Sequence, residues 1–344
     1  MLLNKDVLAR DPADYRLADG GVAKVSFPPD DDQKAILREQ LQTFVCEGAY
    51  AEALRRILDT FNGVAGKRGD VPAVWISGFY GSGKSLLASM LGALWCDLHF
   101  DDGASAEGLV SGMPDDVKAA LKELRTNAKR LGGLAVGGST LGLGSPHPVK
   151  AALEIILRAV GFPAGADLRP SLVALWLADQ GILDPVRAKL GADFDTALRA
   201  FLLEERLAVA ALDAKLGLAP DVDTLMDRLG SQYQNEPEPT VELLVDVALK
   251  ALSVCRKEIP LTLIILDEVQ QFIREDPNIS LAIQTIAEQL TSKFKGRLLL
   301  ICTGQSALSD TAYLEKLLGR FSIPVPLTSS PWRVHAHWRG NPSI

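Results

Sequence analysis

The sequence has few cysteines and no long apolar run, and each absence excludes a class of protein. The four cysteines stand far apart, without a C-x-x-C pair, at Cys46, Cys96, Cys255 and Cys302. Each lies among apolar residues, so we expect small buried side chains, with a metal site or a disulfide as the alternative. No uncharged apolar run reaches the roughly 18 residues of a membrane span, and the N-terminal segment turns polar too soon for a signal peptide. We therefore expect a cytoplasmic protein that makes no membrane contact.

The chain also lacks an excess of positive charge. Its 36 Lys and Arg residues against 43 Asp and Glu residues leave a net charge of −7, which argues against a protein that coats nucleic acid. One basic stretch has near-helical spacing and could face DNA phosphates or form a solvated helix face. Its members are Lys118, Lys122, Arg125, Lys129 and Arg130. Contact with DNA is thus open, and an indirect association is expected.

Apolar patterning divides the chain into five segments. Residues 1–65 predict a strand and two helices, 66–147 and 259–328 predict two parts of an α/β core, 148–258 predict an all-helical insertion, and 329–344 form an atypical tail. Strands that alternate with helices imply a parallel sheet flanked by helices on both faces. The insertion leaves this sheet intact and could be a recognition or assembly module.

Residues 78–85, GFYGSGKS, fit the phosphate-loop (Walker A) pattern G-x-x-x-x-G-K-[ST] between an apolar strand-like run and an amphipathic helix. Small residues let backbone amides surround phosphate oxygens, and the helix N-terminus adds unpaired amides. Lys84 should reach the β- and γ-phosphates, and the Ser85 hydroxyl should bind Mg²⁺. A glycine-rich connector without a ligand is the alternative. The predicted nucleotide-binding residues are Gly78, Tyr80, Gly81, Ser82, Gly83, Lys84, Ser85 and Leu86.

A second motif, LIILDE, places Asp267 and Glu268 directly after four aliphatic residues, as a Walker B strand does. We expect this strand beside the phosphate-loop strand, with both carboxylates at the edge where open α/β sheets bind ligands. Asp267 would then bind Mg²⁺ together with Ser85, and Glu268 would polarise an attacking water. In the alternative, Asp267 caps the next helix and Glu268 is solvated.

Two further places carry candidate catalytic residues. Thr303 and Gln305 follow another buried run, RLLLIC, and either could orient the water or sense the γ-phosphate, or simply make turn hydrogen bonds. Arg320 follows the next predicted helix, near 310–318, and precedes SIPVPL, a predicted edge strand because prolines lack an amide donor. In ring-forming ATPases an arginine at this place points into the neighbour's site. The alternative is a surface arginine at a helix C-terminus.

With these residues placed, the chain resembles the BREX phage-defence P-loop ATPases, the BrxC/PglY family, a divergent branch related to AAA+ proteins. The segments that carry the resemblance are WISGFYGSGKSLL (75–87), LDEVQQFI (266–273), CTGQSAL (302–308) and GRFSIPVPLT (319–328). The resemblance implies an AAA+-like P-loop NTPase that uses ATP and Mg²⁺. It also implies a homo-oligomer with sites between subunits, and other subunits of a defence complex on DNA as partners.

The sequence departs from that family in three places. Gln270 stands where family members usually have glycine, so a less tight turn is expected there. The helical lid that normally follows the last core strand is absent, which leaves a nucleotide-gated module that binds ATP without turnover as the alternative to an ATPase. The tail PWRVHAHWRGNPSI differs in composition from what precedes it and suggests the truncated end of an N-terminal portion or a frame-shifted end, with a short natural tail as the alternative. Its His335 and His337 could suggest metal, but no carboxylate or cysteine stands near them.

Overall fold

The computed structural model describes most of the chain in one α/β arrangement. The described residues are 24–65, 67, 71–140, 143, 147–163, 165–254, 258–273, 276–310 and 312–327. Predictions for Cys255, for the tail 329–344 with its two histidines, and for residues 1–23 lie outside these ranges. Within them, no helix is both long and apolar enough to cross a bilayer.

Six strands form a single sheet at the centre of the described chain. They are β1 (Ser26–Phe27), β2 (Val74–Ser77), β3 (Gly133–Ser139), β4 (Leu261–Asp267), β5 (Leu298–Gly304) and β6 (Ile323–Pro326). The spatial order is β1-β3-β4-β5-β2-β6. The five strands from β2 to β6 are parallel, so their carboxyl ends meet at one edge.

Two details of the predicted sheet are wrong. The sheet is mixed rather than parallel, because the short strand β1 pairs antiparallel with β3 at one edge. The strand β4 also does not lie beside β2, since β5 lies between them and pairs with both. Aliphatic runs show that β4 and β5 are both central strands, but they do not encode the order of central strands.

One face of the sheet is covered by the helices that flank the loop 78–85. They are α1 (Asp31–Thr43), α2 (Gly48–Val64), α3 (Lys84–Trp95), α4 (Ala106–Leu109) and α5 (Asp115–Ala128). Side chains alternate along a strand, so Val74 and Ile76 point into this layer. The two helices that the sequence predicts within residues 1–65 are present as α1 and α2.

The other face is covered mainly by helices between β3 and β4. These are α6 (Pro148–Ala159), α7 (Arg169–Asp179), α8 (Leu183–Leu190), α9 (Phe194–Arg199), α10 (Arg206–Ala214), α11 (Val222–Tyr233) and α12 (Val241–Val254). Between β4 and β6 lie α13 (Gln270–Ile273), α14 (Pro277–Lys293) and α15 (Ala312–Glu315), the last shorter than the helix predicted near 310–318. Side chains of the inserted helices share one continuous hydrophobic core with Trp75, Ile264 and Leu300 of the sheet.

Along the edge strand β6, the backbone faces β2 at every second residue and faces away from the sheet at the residues between. Ile323 and Leu327 donate to Ala73 and Ser77 of the β2 side, so the alternate positions, Pro324 and Pro326, face away from the sheet. Both outward positions therefore lack an amide donor. The outward carbonyl of Pro324 accepts a hydrogen bond from Arg56 Nη1 at 3.0 Å. The prediction of an edge strand is confirmed.

The three described cysteines are free thiols. Cys46 and Cys302 are buried, as predicted, and Cys96 is partly exposed. Burial raises the pKa of Cys46 and of Cys96 to about 11 and raises the pKa of Cys302 as well. These thiols are therefore protonated near neutral pH and are poor nucleophiles.

Candidate functional site

The loop 78–85 follows the end of β2 at Ser77, and its last two residues, Lys84 and Ser85, begin α3. Gly81 and Gly83 have φ angles of 81° and 84°, a left-handed conformation that a side chain would strain. Gly83 is the N-cap of α3 and supplies no side-chain hydrogen bond to it. The first amides of this helix lack intrahelical acceptors, so its N-terminus presents donors and a positive dipole end to the loop.

The interior of the loop is tightly packed and polar. A β-carbon added at Gly78 would lie 2.5 Å from the Leu327 carbonyl oxygen and 2.5 Å from Ser82 Oγ, so only glycine fits. The Ser82 hydroxyl is buried and has no hydrogen-bond partner among the described residues. A buried hydroxyl without a partner is unfavourable and is expected to serve a ligand or water. The loop therefore has the donors and the close backbone approach that a phosphate group needs.

Lys84 folds back onto this loop. Its Nζ donates to the carbonyl oxygens of Gly78 at 2.8 Å and of Phe79 at 3.1 Å. Burial lowers the pKa of Lys84, while the nearby Asp267 and Glu268 oppose that shift. A phosphate oxygen could replace the two carbonyl acceptors and would supply the negative charge that they lack.

Asp267 lies at the carboxyl end of β4 and is 2% exposed. Its Oδ1 accepts a hydrogen bond of 2.6 Å from Thr303 Oγ1. Burial raises the pKa of Asp267, and the bonds from Thr303 and Ser85 and the charge of Lys84 oppose that rise. The two predicted metal ligands therefore lie close enough for the Ser85 side chain to lower the pKa of Asp267, although they belong to different segments.

Thr303 connects the two carboxylates. Besides donating to Asp267, its Oγ1 accepts a hydrogen bond of 2.8 Å from the backbone amide of Glu268. Glu268 itself has a φ of 63°, which is uncommon for a residue with a side chain and signals a constrained backbone. The Glu268 carboxylate accepts a hydrogen bond of 2.9 Å from Ser139 Oγ at the end of β3. Three neighbouring strands thus hold the acidic pair.

Gln305 lies at the same edge, on the exposed turn that follows β5. Its backbone amide donates at 2.6 Å to Gln270 Oε1, which also accepts from the Ser306 amide at 2.8 Å. Trp75 Nε1 donates to the Ser306 carbonyl at 3.1 Å. The turn that carries Gln305 is therefore fixed by side chains from the segment after β4 and from β2.

Arg320 lies apart from these residues. Its carbonyl oxygen accepts from the Ala73 amide at 3.1 Å, which places it beside the amino end of β2, opposite to the loop 78–85. Its guanidinium pairs with Glu288 on α14 at 2.8 Å, and both side chains are about 40% exposed. Within one chain Arg320 does not reach the site.

Two other predicted binding residues differ in how they face the site. Leu86 is buried in the core beneath α3, so only its backbone amide can face a ligand. Tyr80 is 72% exposed at the tip of the loop and makes no part of the core.

The basic stretch on α5 is largely neutralised by carboxylates. Lys118 pairs with Asp115, Arg125 with Asp97 and Glu107, and Arg130 with Glu258. This favours the solvated-face interpretation over a DNA-contacting surface, because paired cations release fewer counterions on binding a polyanion.

Metal binding at the site would depend on few protein ligands. Among the described residues, no group of three or more His, Cys, Asp or Glu side chains could hold a metal ion. Asp267 with the Ser85 hydroxyl still suits Mg²⁺, which takes oxygen ligands, binds through one or two carboxylates and keeps several waters or substrate oxygens. The donor set therefore fits Mg²⁺ better than zinc.

Sequence reasoning missed three residues that shape the site: Ser139, Gln270 as a structural ligand of the turn 305–306, and Tyr50, whose hydroxyl donates to the Ser82 carbonyl at 2.6 Å. For Ser139 a signal existed, since it ends a buried strand, as Asp267 and Gly304 do. No local signal marks Tyr50.

Comparisons with protein-family models, with characterised proteins and with solved structures give no match to this chain. The plain conclusion is an α/β chain with a mostly parallel sheet flanked by helices, whose carboxyl edge gathers a glycine-rich loop and an acidic pair.

Proposed function

We propose that the chain is a Mg²⁺-dependent P-loop ATPase of the AAA+-like type. The observation that carries this proposal is the pairing of β5 with both β2 and β4, which puts Ser77 beside Gly304 and lets Thr303 donate to Asp267, so that the glycine-rich loop and the acidic pair lie at one sheet edge. Lys84 of the loop and Asp267 of the acidic pair are 183 positions apart in the sequence (267 − 84). An accidental match in either motif would give no reason for both motifs to lie at the same edge of the sheet.

Each residue has a defined role in this proposal. The loop amides and Lys84 bind the phosphates, and Ser85 and Asp267 hold Mg²⁺, which neutralises phosphate charge when bound. Thr303 holds the Asp267 carboxylate in place relative to the Glu268 backbone. Glu268 accepts a proton from the attacking water. Gln305 lies on a turn held rigidly enough to orient that water.

The biological role proposed here rests on the family resemblance. We propose a BREX-type phage-defence ATPase that drives assembly or remodelling of a complex on DNA, with other defence subunits as its partners. In a homo-oligomer, Arg320 would serve a neighbouring subunit, since its place away from its own site leaves it available for contact in trans. DNA contact would be indirect, in keeping with the neutralised α5 face.

A second candidate function is a nucleotide-gated interaction module that binds ATP without efficient turnover. The hydrogen bond from Ser139 to Glu268 favours it, because a carboxylate that accepts this bond is a weaker base for water. Binding and hydrolysis must therefore be measured separately.

The test measures Mg·ATP and Mg·GTP affinity by calorimetry and phosphate release in single turnovers. We expect Lys84→Ala to weaken binding at least tenfold, and Glu268→Gln to retain binding while losing about 10²-fold or more in hydrolysis. Glu123→Gln on the exposed side of α5 is the matched control and should behave as wild type.

Arg320→Ala should slow hydrolysis only at concentrations where the chain assembles. Absence of any nucleotide binding by wild type would contradict the proposal, and binding without phosphate release would select the second candidate.

A further inference from the structure

The phenol of Tyr50 makes the contact of interest, at the back of the glycine-rich loop. Tyr50 lies in the first turn of α2 and is 5% exposed, and its hydroxyl donates at 2.6 Å to the carbonyl oxygen of Ser82. Ser82 is itself fully buried and lies between the two left-handed glycines, Gly81 and Gly83. The contact therefore acts on the part of the loop whose backbone is buried between two left-handed glycines. A change of backbone shape there would break the Tyr50 hydrogen bond.

From this geometry we infer that Tyr50 is a positioning residue that keeps the loop 78–85 in its phosphate-binding shape. The inference rests on the function proposed above and deepens it. Hydrogen bonds also form within the loop: the Ser82 amide donates to the Phe79 carbonyl at 3.1 Å, and Lys84 Nζ donates to the carbonyls of Gly78 and Phe79. Lys84 must release its acceptors to reach a phosphate. The Tyr50 bond remains in place when it does so.

The position of Tyr50 is determined by a helix that is anchored at several points. Leu54, Ile57, Leu58 and Phe61 of α2 are buried in the core that this helix shares with α5 and with β2 of the sheet. Farther along the helix, Arg56 donates to Pro324 of the edge strand. The Tyr50 ring also packs edge-on against Phe44, with ring centroids 5.9 Å apart. A group carried by a packed helix holds its partner more exactly than a group on a loop does.

The bond is also costly to lose, which is what a positioning role requires. The Ser82 carbonyl is buried, and a buried acceptor left without a donor is destabilised in its present position. Without the phenol, the peptide unit that precedes Gly83 is free to turn toward another donor. That turn would misdirect the amides that lead into α3.

The test compares Tyr50→Phe, which removes one oxygen and keeps the ring, with Tyr233→Phe as the matched control. Tyr233 is a half-buried phenol on α11, far along the chain from the loop. Affinities for Mg·ATP and for pyrophosphate are measured by calorimetry, together with KM, kcat and the free energy of unfolding. We expect Tyr50→Phe to weaken both ligands about three- to tenfold and to raise KM more than it lowers kcat. Tyr233→Phe should leave both affinities unchanged.

A second variant separates positioning from general stability. Phe44→Leu keeps the phenol and removes its aromatic neighbour, so it should lower the melting temperature and leave pyrophosphate affinity within about twofold of wild type. Unchanged affinities in Tyr50→Phe would overturn the inference. So would an affinity loss in Phe44→Leu that matches the loss in Tyr50→Phe at equal destabilisation. If wild type binds and Lys84→Ala does not, either result leaves the proposed ATP site standing; if wild type binds neither ligand, the proposed function itself fails.

Discussion

At the scale of single residues, Thr303 shows how one hydroxyl organises two carboxylates. It donates to Asp267 and accepts from the Glu268 amide, so its proton direction is fixed by the chain and not by solvent. From its sequence position, Thr303 could have made a simple turn hydrogen bond. In the structure it bonds to both residues of the acidic pair. It holds the Asp267 carboxylate against the backbone of Glu268, while Ser139 holds the Glu268 carboxylate.

Asp267 illustrates the energetic consequence of such a site. Because burial raises the pKa of Asp267 above 3.8, the native state binds more protons than the unfolded chain between pH 3.8 and the raised value. The contribution of this carboxyl group to stability therefore falls as the pH rises through that window and stays low above it. We predict that Asp267→Asn is more stable than wild type at pH 7, by about 1 kcal/mol, and that this gain shrinks at pH 3.

Urea unfolding at the two pH values measures the gain. Asp227→Asn, at an exposed position on α11, is the control and should change stability little at either pH. A loss of stability in Asp267→Asn at pH 7 would mean that the bonds from Ser85 and Thr303 outweigh the burial of the charge.

At the scale of elements, the segment after β4 is tied to the turn after β5 by Gln270. This side chain accepts two consecutive amides and donates to Ser306 Oγ at 3.1 Å. We predict that Gln270→Ala lowers the free energy of unfolding by about 1 kcal/mol, because water can replace the bonds on this partly exposed turn. We also expect kcat to fall more than Mg·ATP affinity, since Gln305 moves with the turn.

Chemical denaturation and single-turnover hydrolysis test that prediction, with Gln271→Ala as the exposed neighbouring control. Equal losses of affinity and of kcat would show instead that the turn supports the whole binding site.

Much of this element structure could be predicted from the sequence. The strand-loop-helix around 78–85, the aliphatic strands β4 and β5, the helical block and the proline-bearing edge strand are all present. These features are local, since they depend on periodicity and on special residues within a short window. The order of β4 and β5 and the contact of Ser139 with Glu268, 129 positions away, depend on which strands pair, and an apolar run carries no such information.

At the scale of the whole molecule, the helices inserted between β3 and β4 share the core of the sheet. We predict that a core change far from the sheet destabilises both parts together. Leu225 on α11 is fully buried, so Leu225→Ala should lower the free energy of unfolding by about 2–5 kcal/mol. Hydrogen exchange of the β4 amides should speed up in parallel with that of the inserted helices.

Leu203→Ala, at a leucine that is 85% exposed, is the control and should stay within about 0.5 kcal/mol of wild type. If only the inserted helices exchange faster in Leu225→Ala, the insertion unfolds as a unit of its own despite the shared core.

The outward face of β6 limits how copies of this protein can meet. A strand of another chain that aligned with β6 would meet two proline nitrogens that carry no hydrogen. One of the outward carbonyl oxygens already accepts a hydrogen bond from Arg56. Edge-to-edge strand pairing, which can start fibril formation, is thus unfavourable at this edge of the sheet. A contact between two copies at the β6 edge therefore has to be made by side chains and not by paired backbones.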